Sequence, residues 1–229
     1  MGRTDRDESA TEAAGLVRIV LPLLVLLFTR AGIELSVQLL PLNWAWLPAF
    51  GVYYLTIGGS IWYASQQWGL AIPAVGRLQP LLPFKLFILG CLLPALLPLG
   101  VFVLNVQVVP IPILLSTVGF ALINPLFEDA FWRGLLTHLP MSAWGRILVS
   151  ASLFSFSHYF LWGAYWLSSP RVLLPTCLTT FIMGVCWMWL YQRDGRLIYP
   201  IVSHILVDIF NLSIAIFMGV SLPTLSTTP

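Results

Sequence analysis

Seven long apolar stretches, at about 15–37, 44–66, 85–105, 111–136, 145–162, 171–191 and 197–220, follow one another with few charges inside them. A run of about 20 apolar residues matches the hydrocarbon thickness of a bilayer. In that solvent the backbone can be satisfied only by helices or a closed barrel. These runs are continuous rather than alternating, so helices are expected and a β-barrel is not. Turn-forming residues punctuate the gaps: Pro41, Pro80 with Pro83, Pro110 with Pro112, Pro140, Ser168-Ser169-Pro170 and Asp194-Gly195. The expected fold is all-α, a polytopic transmembrane helical bundle of about seven spans. The length of 229 residues admits about six to eight.

Composition closes off the other classes. Hydrophobic residues make up 59% of the chain and charged residues 9%, against about 25% charged in a soluble domain. Too few charges remain to cover a water-soluble surface, and a chain this apolar is not disordered. Eleven basic against nine acidic residues leave a net charge of +2, with no basic stripe for a nucleic acid. Cys91, Cys177 and Cys186 are odd in number and lack C-x-x-C spacing, so they are expected to be apolar helix residues, not disulfides or zinc ligands.

Residues 1–14 carry both signs of charge and are expected to form a polar cytoplasmic tail, with 15–229 as a single transmembrane domain. The run Ile19 to Phe28 has the length of a signal sequence. The acidic tail before it, and the lack of a small-residue cleavage site after it, argue for a first span instead. Arg30 and Glu34, four apart, are expected to pair on one helix face. With seven spans, Arg3, Arg6, Arg18, Arg77, Lys85, Arg146, Arg193 and Arg196 fall on one side, and only Arg30 and Arg171 on the other. The positive-inside rule then places the N-terminus in the cytoplasm and the C-terminus opposite. Trp44, Trp46, Trp144, Trp162 and Trp166 fall near span ends, where interfacial aromatics are expected.

Ionisable groups inside spans are costly, and each is a functional candidate. Here they are Glu128, Asp129 and Arg133 in the fourth span, His158 in the fifth, and His204 with Asp208 in the seventh. At a rise of about 1.5 Å per residue, Glu128, His158, His204 and Asp208 occupy one band about 10 Å deep, between the cytoplasmic third and the midplane. Asp129 and Arg133 share a helical stripe and are expected to form a structural ion pair. Asn124 lies one turn before Glu128 on nearly the same face. Asp208 shares a face with His204 and could orient its imidazole, and Phe154 could pack on His158. Asn124, Ser157 and Ser203 are most simply interhelical hydrogen-bond formers. His138, beside Pro140, is an interfacial residue.

A buried carboxylate beside imidazoles suits the activation of water, with a second imidazole stabilising an oxyanion. That describes a hydrolase without a covalent nucleophile, since no Ser or Cys stands in a nucleophile elbow. Metal is the rival account: Glu128, His158 and His204 would make a His₂Glu set suited to zinc. Residue types do not separate the two; the account without a cofactor is preferred.

Three short motifs carry a resemblance. Glu128-Asp129-Ala-Phe-Trp-Arg133 resembles E-E-x-x-x-R, Phe154-Ser-Phe-Ser-His158 resembles F-x-x-x-H, and His204-Ile-Leu-Val-Asp208 resembles H-x-x-x-N/D. In this order they resemble the CPBP family, the CAAX protease and bacteriocin-processing (Abi, Rce1-like) proteins, over about residues 110–215. The resemblance implies a glutamic intramembrane protease in which Glu128 and His158 activate water. His204 and residue 208 would face the scissile carbonyl, supported by Asp129, Arg133, Phe154 and Asn124. The chain departs from the pattern twice. Asp129 stands for the second Glu, and Asp208 stands where many members have Asn; an ionised Asp cannot donate to an oxyanion. The expected substrate is a membrane-associated protein or peptide cut near its C-terminus (a CAAX tail, a bacteriocin precursor or a sorting tag). The other partner is the lipid bilayer, and no nucleic acid is expected. A non-enzymatic immunity or scaffold protein of the same fold, or a small proton-coupled transporter, are the competing readings.

Overall fold

A computed structural model describes residues 4–69, 83–167 and 170–222. The polar residue Arg3, Arg77, Pro80 and the Ser168-Ser169 punctuation lie outside these, as do the side chains of Arg6, Arg18 and Arg171. Every regular element is helical among the described residues. Helix α1 runs Thr4–Leu39 and α2 Leu42–Trp68. Helix α3 is a segmented rod, Phe84–Val108, and α4 spans Ile111–His138. Helix α5 covers 143–163, α6 Pro170–Asp194, α7 Ile198–Phe210 and α8 Ser213–Phe217. The helix content follows from the uninterrupted apolar runs, and the ends follow from local chemistry. Pro41, Pro83 and Pro110 precede α2, α3 and α4 in extended conformation, where a missing N–H costs nothing. Ser142 Oγ caps α5 by accepting from Gly145 N at 3.1 Å.

Val20–Leu39, Phe84–Val108, Ile111–His138 and Val172–Asp194 are each long and apolar enough to cross a membrane, and α7 is a shorter apolar helix. With leucines along these rods, such as Leu27, Leu104, Leu115 and Leu174, exposed, the protein is a polytopic helical bundle and an integral membrane protein. The expected last span, 197–220, is not one rod. It breaks at Leu212, which adopts φ 54° while fully buried. A left-handed leucine costs on the order of 1–2 kcal/mol, and burial of the side chain offsets it. The break turns α8 back onto α4 and α2.

The most extensive packing is α1 along α2, α5 along α6, and α4 along α7. Gly184 makes the α5–α6 contact possible: a Cβ there would lie 3.0 Å from Ala151 Cα. The helices that carry the three motifs (α4, α5 and α7) surround a core of Phe131, Trp132, Phe154, Trp187 and Val207. Helix α2 enters the same core through Phe50, Tyr53 and Ile57. Trp162, expected at the interface, is instead buried and stacked on Phe50 with centroids 4.3 Å apart. The chain turns inward there because α5 ends in a π-helical segment. Trp44 and Trp144 are exposed, as interfacial residues are.

Candidate active site

Two π-helical segments set the site. In α4 the α-helix ends at Asp129 and continues as a π-turn over Ala130–Leu135. In α5 the π-turn begins at His158 itself and runs to Gly163. Such insertions rotate the following side chains off the α-helical phase and recur at functional sites. Pro125, one turn before Glu128, already weakens the α4 ladder.

The structure brings together Asn124, Glu128, Asp129, Arg133, His204 and Asp208, all buried. Asp129 Oδ1 lies 3.1 Å from Arg133 Nη1, the expected ion pair. The contact is coulombic rather than an aligned hydrogen bond, since neither atom has a hydrogen-bond partner among the described residues. The guanidinium instead lies over two rings, 4.1 Å from the centroid of Phe154 and 4.8 Å from that of Trp187, so cation–π attraction holds it.

The other Asp129 oxygen settles a question the spacing left open. His204 Nδ1 is 3.1 Å from Asp129 Oδ2, whereas Asp208 Oδ1 is 3.8 Å from Nε2. Asp129, not Asp208, therefore orients the imidazole, because its carboxylate reaches across the α4–α7 contact to the inner face of the ring. Nδ1 carries the proton of that bond, and Nε2 is turned outward to Glu128 Oε2 at 3.5 Å. Asp208 is held from a different side: Asn124 Nδ2 donates to Asp208 Oδ2 at 3.0 Å and to Glu128 Oε2 at 3.3 Å.

His158 enters the site from α5. Its Nδ1 is 2.9 Å from the Phe154 carbonyl, which can only accept, so Nδ1 bears the hydrogen and Nε2 a lone pair. Phe154 also packs edge-on against the ring at 4.7 Å, as the spacing predicts. Ser203 makes its expected interhelical bond, donating to the Cys91 carbonyl at 2.6 Å. Ser157 does not: it returns to the Phe154 carbonyl of its own helix at 2.6 Å, the local bond that a helical serine forms without needing a neighbour.

Several residues of the site carry no ionisable motif and were not expected. Tyr53 of α2 donates to Glu128 Oε1 at 2.8 Å and accepts from Trp132 Nε1 at 3.1 Å. Tyr54 donates to Asn124 Oδ1 at 3.1 Å. Trp187 stacks on the His204 ring at 4.6 Å and is fixed by donating to Ser203 Oγ at 2.9 Å. The signal for Tyr53 is its depth: it sits near the middle of α2, where a hydroxyl must find a partner.

A cavity of about 140 Å³ joins these groups. Glu128, His158, His204, Asp208 and Asn124 line it together with the apolar Phe50, Val101, Met183 and Ile216. Thr176, Thr179 and Thr180 line it too, their hydroxyls bonded back to the α6 carbonyls. Asp129 and Arg133 lie behind it. Among the described residues no three His, Cys, Asp or Glu side chains stand in a metal-holding arrangement. Glu128, His158 and His204 are nonetheless the donors that a His₂Glu zinc site would draw on.

The fold and this cavity define a class: an integral membrane helical bundle with a buried carboxylate and two imidazoles on a cavity. Residues 110–210 match the family model described as type II CAAX prenyl endopeptidase, Rce1-like. The matched residues include all three motifs, in agreement with the resemblance in the sequence. Comparison with curated proteins and with solved structures gives no match.

Proposed function

We propose that the protein is a glutamic intramembrane endopeptidase cleaving a membrane-associated protein or peptide near its C-terminus, of CAAX, bacteriocin or sorting-tag type. The observation that carries the reading is the shared cavity wall: Glu128 lies 3.5 Å and Asp208 3.8 Å from His204 Nε2, with the His158 ring facing the same space. Three unrelated structural charges would have no reason to meet at a cavity.

In this mechanism a water donates one O–H to the Glu128 carboxylate and the other to His158 Nε2. Its remaining lone pair attacks the scissile carbonyl carbon while Glu128 takes the proton. The C=O electron pair moves onto oxygen, and the resulting oxyanion is met by His204 Nε2–H. With Glu128 and Asp208 ionised, that nitrogen bears a proton, because two carboxylates face it and can only accept. Collapse of the tetrahedral intermediate breaks the C–N bond, and the proton on Glu128 passes to the leaving amine. A general base of this kind is worth about 10²–10⁴ in rate and one oxyanion donor about 10²–10³. Asn124 and Asp129 hold Glu128, Asp208 and His204 in place, and no cofactor takes part. The N-terminus is cytoplasmic and the C-terminus opposite, so the band of site residues opens nearer the cytoplasmic face.

The test is a comparison of membrane-protein C-termini in cells carrying the wild type or Glu128→Gln. A fragment present only with the wild type, and equal accumulation of both proteins, supports the reading and supplies the substrate. Equal termini would reject it and favour an immunity, scaffold or transport role.

A further inference from the structure

We propose that Tyr53 is a positioning residue for the Glu128 carboxylate, so that the machinery extends into α2, outside residues 110–210. The inference rests on the protease reading above. A glutamate's terminal torsion is soft and roughly two-fold, so an unheld carboxylate swings its lone pairs away from the cavity. Here both oxygens are held from different elements. Asn124 donates to Oε2 from one turn back, and the Tyr53 hydroxyl donates to Oε1 at 2.8 Å. Tyr53 cannot choose another acceptor cheaply. Trp132 Nε1–H occupies its oxygen at 3.1 Å, which turns the phenolic hydrogen toward Glu128. Trp132 follows Glu128 by four residues on the same helix, and the Ser150 hydroxyl fixes its backbone by donating to its carbonyl at 2.5 Å. The chain Trp132 N–H to Tyr53 O–H to Glu128 therefore polarises in one direction and ends on the base. Tyr53 and Trp132 are fully buried and do not line the cavity, so water in the cavity does not compete for the bond between them.

The experiment measures turnover of a quenched, farnesylated peptide ending in Cys-aliphatic-aliphatic-X, with purified full-length protein in phospholipid–detergent micelles. Wild-type cleavage, lost in Glu128→Gln, establishes the protease reading independently. Tyr53→Phe then lowers kcat about tenfold and leaves KM within about twofold, the loss of one hydrogen bond to a charged group. It also leaves the Trp132 N–H unpaired, which lowers thermal stability. Tyr53→Phe/Trp132→Phe removes that orphan donor, so it regains thermal stability over the single variant while kcat stays low. If Tyr53→Phe does not accumulate, the double variant carries the comparison with the wild type. Wild-type kcat in Tyr53→Phe, a loss carried by KM, or recovery of kcat together with stability in the double variant would overturn the proposal.

Discussion

Asp129→Asn isolates the inner ion pair. Arg133 and Asp129 are both fully buried with Nη1 and Oδ1 3.1 Å apart. At an effective dielectric of about 20, unit charges at that distance attract by about 5 kcal/mol. Removing one partner from a buried pair is expected to cost about 3–5 kcal/mol, because the other charge is left uncompensated. The cation–π contacts of Arg133 with Phe154 and Trp187 are present in both proteins and cancel in the difference, so we expect destabilisation of about 3–5 kcal/mol. The substituted amide still offers an acceptor to His204 Nδ1, so the penalty reads charge rather than orientation. The assay is unfolding in mild detergent by titration with a denaturing detergent, followed by tryptophan fluorescence, together with Asp129→Asn/Arg133→Met. The double variant removes both charges and should be more stable than the single one. A single variant as stable as the wild type, or a double variant less stable than the single, would refute the pairing argument.

Asp208→Asn keeps an acceptor for the Asn124 amide and adds a donor toward the cavity, so kcat should stay within about tenfold of wild type, about 1.4 kcal/mol in barrier. A loss beyond a hundredfold would mean that the negative charge 3.8 Å from His204 Nε2 is itself required. Treatment with 1,10-phenanthroline should leave cleavage unchanged. Inhibition reversed by added zinc would assign Glu128, His158 and His204 as its ligands.

The parts of the site legible in the sequence were those whose chemistry is costly in lipid. Glu128, Asp129, Arg133, His158, His204 and Asp208 stand out because a bare charge in hydrocarbon demands a partner, and helical arithmetic put Glu128, His158, His204 and Asp208 at one depth. The Asp129–Arg133 and Phe154–His158 contacts followed from four-residue spacing within one helix. The His204–Asp129 bond did not, because spacing along α7 names Asp208 as the neighbour and says nothing of what α4 presents across the gap. Tyr53 and Trp187 were hidden for another reason. In a chain with 14% aromatic residues a tyrosine or tryptophan reads as packing, and only its hydrogen-bond partner reveals a second task. The π-turns at Ala130 and His158 leave no mark on hydropathy, and neither does the break at Leu212. These irregularities decide which way the motif residues face.

His204 divides the site's electrostatics into two halves. Behind it, Asp129 and Arg133 form a closed pair that never meets the cavity. In front, Glu128, Asp208, Asn124 and His158 line it. The ring touches both halves, with Nδ1 on Asp129 and Nε2 between Glu128 and Asp208, and Trp187 stacked on its face prevents rotation. In a medium that solvates ions poorly, charge that appears during a reaction must be balanced by charge already in place. In the mechanism proposed above, an oxyanion would form in front of Nε2 as Glu128 accepts a proton and loses its negative charge, so the cavity half would keep the same net charge throughout. The inner pair would then stay fixed, stabilising an imidazolium without taking part.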